Sequence, residues 1–476
     1  MIKDKKIVFY ELNEVPRRVL DDFVLHYPES TLDRLLKRGR LYQTVTEDSG
    51  ILSPWITWPT LHRGIVNEKH CISDFGQDLT EVNAAYPSFM DLLSRAGLRV
   101  GVFGSLHTYP LPDNIDQYAF YVPDTFANGT ECFPETLSVF QDFNLKMMDA
   151  SGRNVSRSLI VGPAVRFLTK APGLGLRLGT VAKLAGQLVS ERVNPARAVR
   201  RRISQAQIAF DLFLRQLETH QPDIATCFTN HVASSMHRYW PGKFPKDFNG
   251  AEVTDAWMET YAGEIDFAMQ EADDQLSMLA SFVERNSNYA LVIASSMGQA
   301  AVDASTIIHH QLYIDDIGRF MHTLGVGDGG WVKNRAMLPR YIFRISDSYV
   351  AKFRESVASV TVNGVPIDVS ELGGNIFRIK LGQHNLRDDQ TIVCFNGIQR
   401  PIVDIGLTNV SIQDETGSYA YHIPQGIMLV YDPRESTQHG AKGGEISTCQ
   451  IAPTILANFG IKRPGYMNPS LIKIAA

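Results

Sequence analysis

The sequence is poor in cysteine, and the few it has are not arranged for chemistry. Cys71, Cys132, Cys227, Cys394 and Cys449 form an odd, widely scattered set in 476 residues, with no Cys-x-x-Cys pair. That spacing excludes a cysteine-rich zinc site and argues against a disulfide framework. No run of about 18 apolar residues occurs, so no spanning helix is expected. The opening Met1-Ile-Lys-Asp-Lys-Lys6 leads straight into a strand-like run without a signal-type apolar stretch, and a cytoplasmic protein, at most peripheral to a membrane, is expected. An excess of positive charge is missing too. A net charge of −5 gives no general drive toward nucleic acid, and no nucleic-acid partner is expected. What remains is an ordinary globular composition, 44% hydrophobic, in a chain long enough for one large domain with insertions or for two to three domains.

Short apolar runs alternate with amphipathic ones. Lys6-Ile-Val-Phe-Tyr10, Arg99-Val-Gly-Val-Phe103, Ile224–Phe228 and Ala290–Ala294 read as buried strands, and Thr31–Gly39 and Phe89–Gly97 as helices ending on glycine. The alternation predicts an α/β fold with a doubly wound, mostly parallel sheet. In such sheets ligands bind beyond the carboxyl ends of the strands, which points to Glu11–Glu14, Asn230–His237 and Ser295–Gln299. Two stretches interrupt the pattern. Residues 150–216 read as a basic helical insertion, a lid or cap, with Leu174, Leu178, Val181, Leu184 and Leu188 at helical spacing. From Arg153 to Arg215 there are twelve Arg/Lys against Glu191 and Asp211, a local excess of about +10. Residues 351–420 carry short β-type runs with Asn-Gly turns and read as a small antiparallel β insertion. Core segments are therefore expected at 1–149, 217–350 and 421–476.

Several polar clusters could carry chemistry. The stretch Ser53-Pro-Trp-Ile-Thr57-Trp58 offers hydroxyls that could act as nucleophiles at a helix start, or that only cap a helix. His231 and His237 follow a strand and are candidate metal ligands. His422 and His439 flank the apolar run at Gly426–Tyr431. Glu11 and Glu14 could serve as base or ligand. Asn13, Trp58, Asn230 and Ser296 are candidate substrate-binding residues around the same strand ends.

Taken in order, these pieces resemble the alkaline phosphatase superfamily, in its type I phosphodiesterase/nucleotide pyrophosphatase branch. Gly64-Ile-Val-Asn-Glu-Lys-His70-Cys-Ile-Ser-Asp-Phe75, His107-Thr-Tyr-Pro110, His237-Arg-Tyr-Trp240, Tyr421-His-Ile-Pro-Gln-Gly-Ile427 and Ile451-Ala-Pro-Thr-Ile-Leu456 carry the resemblance. It implies a hydrolase with two divalent metals, commonly zinc, on Asp and His ligands, and a Ser or Thr nucleophile. The ligand positions have departed from that pattern. The family's first-strand Asp falls on Asn13, its Asp-His pair on Ser296-Met297 and a further Asp on Ala233, with Asn230 able to shift into that place, whereas His237 and His422 remain. Neutral amide, hydroxyl and thioether groups do not offset the repulsion of two dications, so a two-metal site is not expected. One Zn2+ or other divalent metal, held by His237 and His422 with His231 or His439, is the expectation.

Three readings stay open at this level. The first is a phosphoester hydrolase or phosphoryl transferase, phosphodiesterase-like, acting on an anionic phosphate-containing small molecule or lipid-linked substrate, with peripheral membrane contact through residues 150–216. The second is a pseudoenzyme that binds without turnover. The third is metal-free acid–base chemistry on Glu11, Glu14 and the histidines, with nucleotide or surface-glycan metabolism as the setting the resemblance implies. Thr57 and Ser53 both remain candidate nucleophiles.

Overall fold

The computed structural model describes residues 5–150, 161–248, 253–302, 310–336, 339–387, 391–411, 419–435 and 441–472; His439 lies outside them. Ten strands organise the site: β1 (Lys6–Leu12), β2 (Arg40–Val45), β3 (Val100–Phe103), β4 (Phe120–Val122), β5 (Ile224–Thr229), β6 (Tyr289–Ala294), β7 (Gly298–Ala301), β8 (Ala420–Ile423), β9 (Gln425–Tyr431) and β10 (Ala441–Ser447). Eight of them form one sheet in the order β10-β2-β9-β6-β1-β5-β3-β4. Its pairs are parallel except those of β9, which runs antiparallel to β2 and β6. The predicted doubly wound, mostly parallel α/β sheet is the one observed.

The central strand shows why. In β1, Val8, Tyr10 and Leu12 enter one apolar cluster and Ile7 and Phe9 the other. Both faces must be covered, which a parallel sheet achieves with crossover helices. Helices Arg17–His26, Arg201–His220 and Glu264–Arg285 cover the first face; Pro54–Arg63, Phe89–Arg95 and Ile451–Asn458 cover the second. Past β6 the chain leaves the sheet and forms a two-stranded antiparallel ribbon, β7 with β8, in which His422 lies opposite Gln299.

The β insertion exists and is larger than the 351–420 expected. Its own apolar core runs from Leu312 to Leu407. It includes Trp331–Asn334 and Arg340–Ile345, which pair in the four-stranded antiparallel sheet completed by Asp368–Glu371 and Ile376–Lys380. The core segment expected at 217–350 therefore ends near residue 302. The boundary escaped the sequence because Arg340-Tyr-Ile-Phe-Arg-Ile345 reads as a buried strand of either domain. The Asn-Gly turns are where they were expected: Asn363 and Gly364 join Thr361–Val362 to Val365–Pro366 with φ of 48° and 80°, the left-handed pair that a two-residue type I′ hairpin requires. The insertion is tied to the main domain by Arg378 Nη1 to Asp74 Oδ2 at 3.0 Å, Asn334 Nδ2 to the Gly76 carbonyl at 3.3 Å and Arg335 Nη1 to the Ala127 carbonyl at 2.9 Å.

The basic stretch is helical in its described part, at Val161–Leu174, Leu178–Val193 and Arg201–His220. All three reach the main core: Phe167 and Ala171 of the first are buried in it and Leu184 of the second packs against it. Arg201–His220 reaches deepest, burying Phe210, Leu212, Phe213 and Leu217 in that core.

Candidate active site

Among the described residues, one group of three potential ligands converges: Glu14, His237 and His422, whose ligating atoms all lie within 4.8 Å of one another. Each arrives from a different element. Glu14 follows β1 and takes a left-handed backbone, φ 60°, which turns its side chain back over the strand end. His237 sits on the second turn of helix His231–Lys243. His422 stands on β8. Glu14 Oε2 is 3.0 Å from His237 Nε2 and 3.3 Å from His422 Nε2.

The far side of each imidazole is fixed. His237 Nδ1 lies 2.7 Å from the Ala420 carbonyl and His422 Nδ1 2.7 Å from the Leu52 carbonyl. A carbonyl only accepts, so both Nδ1 atoms carry protons, and both Nε2 atoms face the carboxylate. Two unprotonated Nε2 lone pairs against a carboxylate repel. The cluster is therefore completed either by protons, giving imidazolium–carboxylate pairs, or by a cation between the three groups. Nδ1–H held on a backbone carbonyl with Nε2 turned inward is the arrangement of metal-ligating histidines. Tetrahedral zinc with bonds of about 2.1 Å separates its ligand atoms by about 3.4 Å, close to the distances found here.

Electrostatics reinforce the coupling. Burial alone would raise the Glu14 carboxyl, but His422 and His237 outweigh it and hold it well below its ordinary range. Burial alone would lower His422, yet Glu14 raises it, with the Leu52 carbonyl assisting and Arg340 opposing. Gln299 Nε2 also donates to Glu14 Oε2. Asn13 Nδ2 donates to Glu14 Oε1 at 2.8 Å and to Asn230 Oδ1 at 2.7 Å, and Asn13 Oδ1 accepts from Trp58 Nε1 at 2.8 Å. Asn13, Asn230 and Trp58, expected around substrate, thus brace the carboxylate, with Trp58 fully buried.

The hydroxyls separate into two kinds. Thr57 Oγ1 and Ser296 Oγ lie 2.7 Å apart and both residues are fully buried. Ser53 is 3% exposed and its Oγ has no hydrogen-bond partner. It occupies the N-cap of helix Pro54–Arg63 without capping it, one residue past the carbonyl that holds His422.

His231 and Glu11 do not join the cluster. His231 is buried, with Nδ1 2.6 Å from Thr229 Oγ1 and Nε2 3.1 Å from the Ala268 carbonyl, so neither nitrogen is left for a metal. As the N-terminal residue of its helix it points into the packing beneath the sheet, whereas His237, six residues on, faces β8. Glu11, fully buried, accepts from His62 Nε2 at 2.6 Å and from Ser105 Oγ at 2.7 Å, a separate polar knot under the strand ends. Met297 is fully buried and offers a thioether where the resemblance would place a ligand.

Arg340 was not singled out by sequence. Its guanidinium lies over the Trp55 ring, 4.7 Å from the centroid, and 3.9 Å from Asp74 Oδ2, near enough to His422 for its charge to oppose protonation there. No local pattern marks an arginine on an inserted strand that crosses back to another domain's helix start.

No family model and no curated protein matches the chain. Among solved structures it is similar to murine ectonucleotide pyrophosphatase/phosphodiesterase 5 in an inactive variant complexed with AMP, at 10% identity over 98% of this chain and 97% of that one, TM-score 0.42. The human protein of the same name gives 10% identity, 98% and 97% coverage and a TM-score of 0.38. A mutant of alkaline phosphatase PafA gives 13% identity, 99% and 98% coverage and a TM-score of 0.43. The likeness is one of overall fold, at 10–13% identity. At these scores it carries no weight for the chemistry of the site, which stands on its own geometry.

Proposed function

We propose that the protein is a phosphoester hydrolase or phosphoryl transferase with a single divalent-metal site held by Glu14, His237 and His422. The observation that carries this reading is the convergence of both Nε2 atoms on one Glu14 oxygen while both Nδ1 atoms are held by backbone carbonyls. Two imidazoles and one carboxylate match a catalytic zinc set, with a position left for substrate. A zinc ion there would polarise a phosphoryl oxygen. Ser53 is the proposed nucleophile. Its unpartnered hydroxyl would attack phosphorus, forming a Ser–O–P bond as the bond to the leaving oxygen breaks; the hydroxyl proton passes through solvent to the departing oxygen, and water then cleaves the Ser–O–P bond to restore the serine. Arg340, at the rim above Trp55, would hold a second anionic oxygen.

The test uses protein stripped with chelator and titrated with zinc by calorimetry. One equivalent is expected, and His237→Ala and His422→Ala should each abolish it. In the loaded protein, Ser53→Ala should remove hydrolysis of p-nitrophenyl phosphate esters, while Thr57→Val should leave most of it. Absence of binding with activity retained in chelator would instead favour metal-free Glu14–imidazolium chemistry, the reading that the raised His422 supports.

A further inference from the structure

Helix Leu178–Val193 is inside out. On a surface helix the apolar stripe ordinarily faces the core and the polar residues face water. Here Leu178, Val181, Leu188, Val189 and Val193 are 87%, 43%, 46%, 64% and 81% exposed. At 3.6 residues per turn they fall, with exposed Ala182 and Ala185, inside an arc of roughly 140°. The inward face, where Leu184 packs against the main core, is otherwise polar. Thr180 and Glu191 are buried, Lys183 pairs with Glu271 at 2.9 Å and Asp274 at 2.7 Å, and Glu191 pairs with Arg201 at 2.5 Å. Ion pairs therefore fasten this helix to the body of the protein and fix which side looks outward. Leu168, 50% exposed on the preceding helix, extends the apolar surface.

We propose that this face docks on an anionic lipid bilayer, the helix lying in the plane of the headgroups. Charge selects the occupant. From 161 to 200 the sequence has seven Arg/Lys and one carboxylate residue, Glu191, and that one is buried in its pair with Arg201. Arg166, Lys170, Arg177, Arg192 and Arg197 are exposed; on the helical wheel Arg177 flanks the apolar arc and Arg192 falls within it, while the exposed carboxylate touching the helix, Asp274, is paired with Lys183 on the opposite side. An apolar face set with cations is what an interfacial helix presents to negative headgroups. A second copy of the chain would set cation against cation across the interface. The proposal is independent of the chemistry assigned to Glu14, His237 and His422, which lie on other elements.

Flotation of the full chain with vesicles tests it. Phosphatidylcholine vesicles containing phosphatidylserine should carry the protein up the gradient, and phosphatidylcholine alone should carry at least about tenfold less. Raising the salt should release it. Leu178→Asp with Val189→Asp, both at exposed positions, should abolish flotation while leaving the melting temperature and the zinc titration unchanged. Arg192→Gln should weaken vesicle binding by about fivefold, the scale of one basic side chain near an anionic surface, without removing it. No flotation, or equal flotation on both vesicles at all salt concentrations, would overturn the proposal. So would concentration-dependent self-association, removed by the double substitution, in place of vesicle binding.

Discussion

Asn13 shows how much one side chain can organise. Its amide donates to Glu14 and Asn230 and its carbonyl oxygen accepts from the Trp58 indole, so each polar atom has a partner in a nearly dry setting. Asn13→Asp removes two donors and sets a carboxylate against Glu14. A loss of about 2–4 kcal/mol is expected in urea unfolding of the metal-free protein, with part regained at saturating zinc. An unchanged midpoint would mean that the amide does not hold Glu14 in place. The pair of Glu11 and His62 teaches the complementary point. Its acid looks like chemistry in the sequence, yet Glu11 and His62, at 0% and 1% side-chain exposure, are interior structure.

At the scale of elements, the site is a meeting of termini. A strand end supplies Glu14, a helix turn His237, a ribbon strand His422 and a helix start Ser53. The inserted strand Arg340–Ile345 adds a fifth contribution by crossing to Trp55. Because Arg340 touches the rim and not the ligand set, Arg340→Ala should weaken binding of an anionic substrate or of vanadate by about tenfold, the scale of one charge-assisted hydrogen bond. It should alter kcat and zinc affinity little. A fall in kcat at constant KM would instead place Arg340 in the chemical step.

Across the whole molecule, buried neutral histidines set the acid limit of stability. Burial pushes His70 and His107 down to about 3 and His231 to about 4. Below pH about 6.5 the unfolded chain takes up protons at these positions and the folded one does not, so stability falls as pH falls. Asp124 acts the other way: burial raises it to about 6, and the folded state holds its proton between about pH 6 and 4. These four groups by themselves contribute a net loss of about 2–3 kcal/mol per pH unit near pH 5, lessened by Asp48, Asp91, Asp211 and Asp273, which burial also raises; the fall is readable from urea midpoints between pH 7 and 5. His231→Asn should flatten that slope by roughly 40%.

The sheet was legible in the sequence because a parallel core writes its strands as short apolar runs, and the Asn-Gly hairpins because their backbone demands those residues. His237 and His422 were found on motif order. Glu14 stayed one of two candidates, since neighbouring strand-end residues point to opposite sides and only backbone geometry decides between Glu11 and Glu14. Gln299 reaches the site through the register of β7 with a strand far along the chain, β8, and Arg340 across a domain boundary; local pattern cannot carry either. The inverted helix was legible in period but not in facing. Leu178, Val181 and Leu188 repeat as a core stripe would, and ion pairs from Lys183 and Glu191 turn them outward.

The left-handed backbone at Glu14 makes that position hard to replace. Asparagine and aspartate tolerate such a φ better than glutamate does, so backbone preference pulls toward the shorter side chains. Reach pulls the other way, because Asp is one methylene too short to meet both imidazoles from the same turn. Selection for thermal stability at residue 14 should therefore enrich Asn, Asp and Gly, while selection for cation retention should keep Glu alone, so the two screens would read out opposite demands at a single codon.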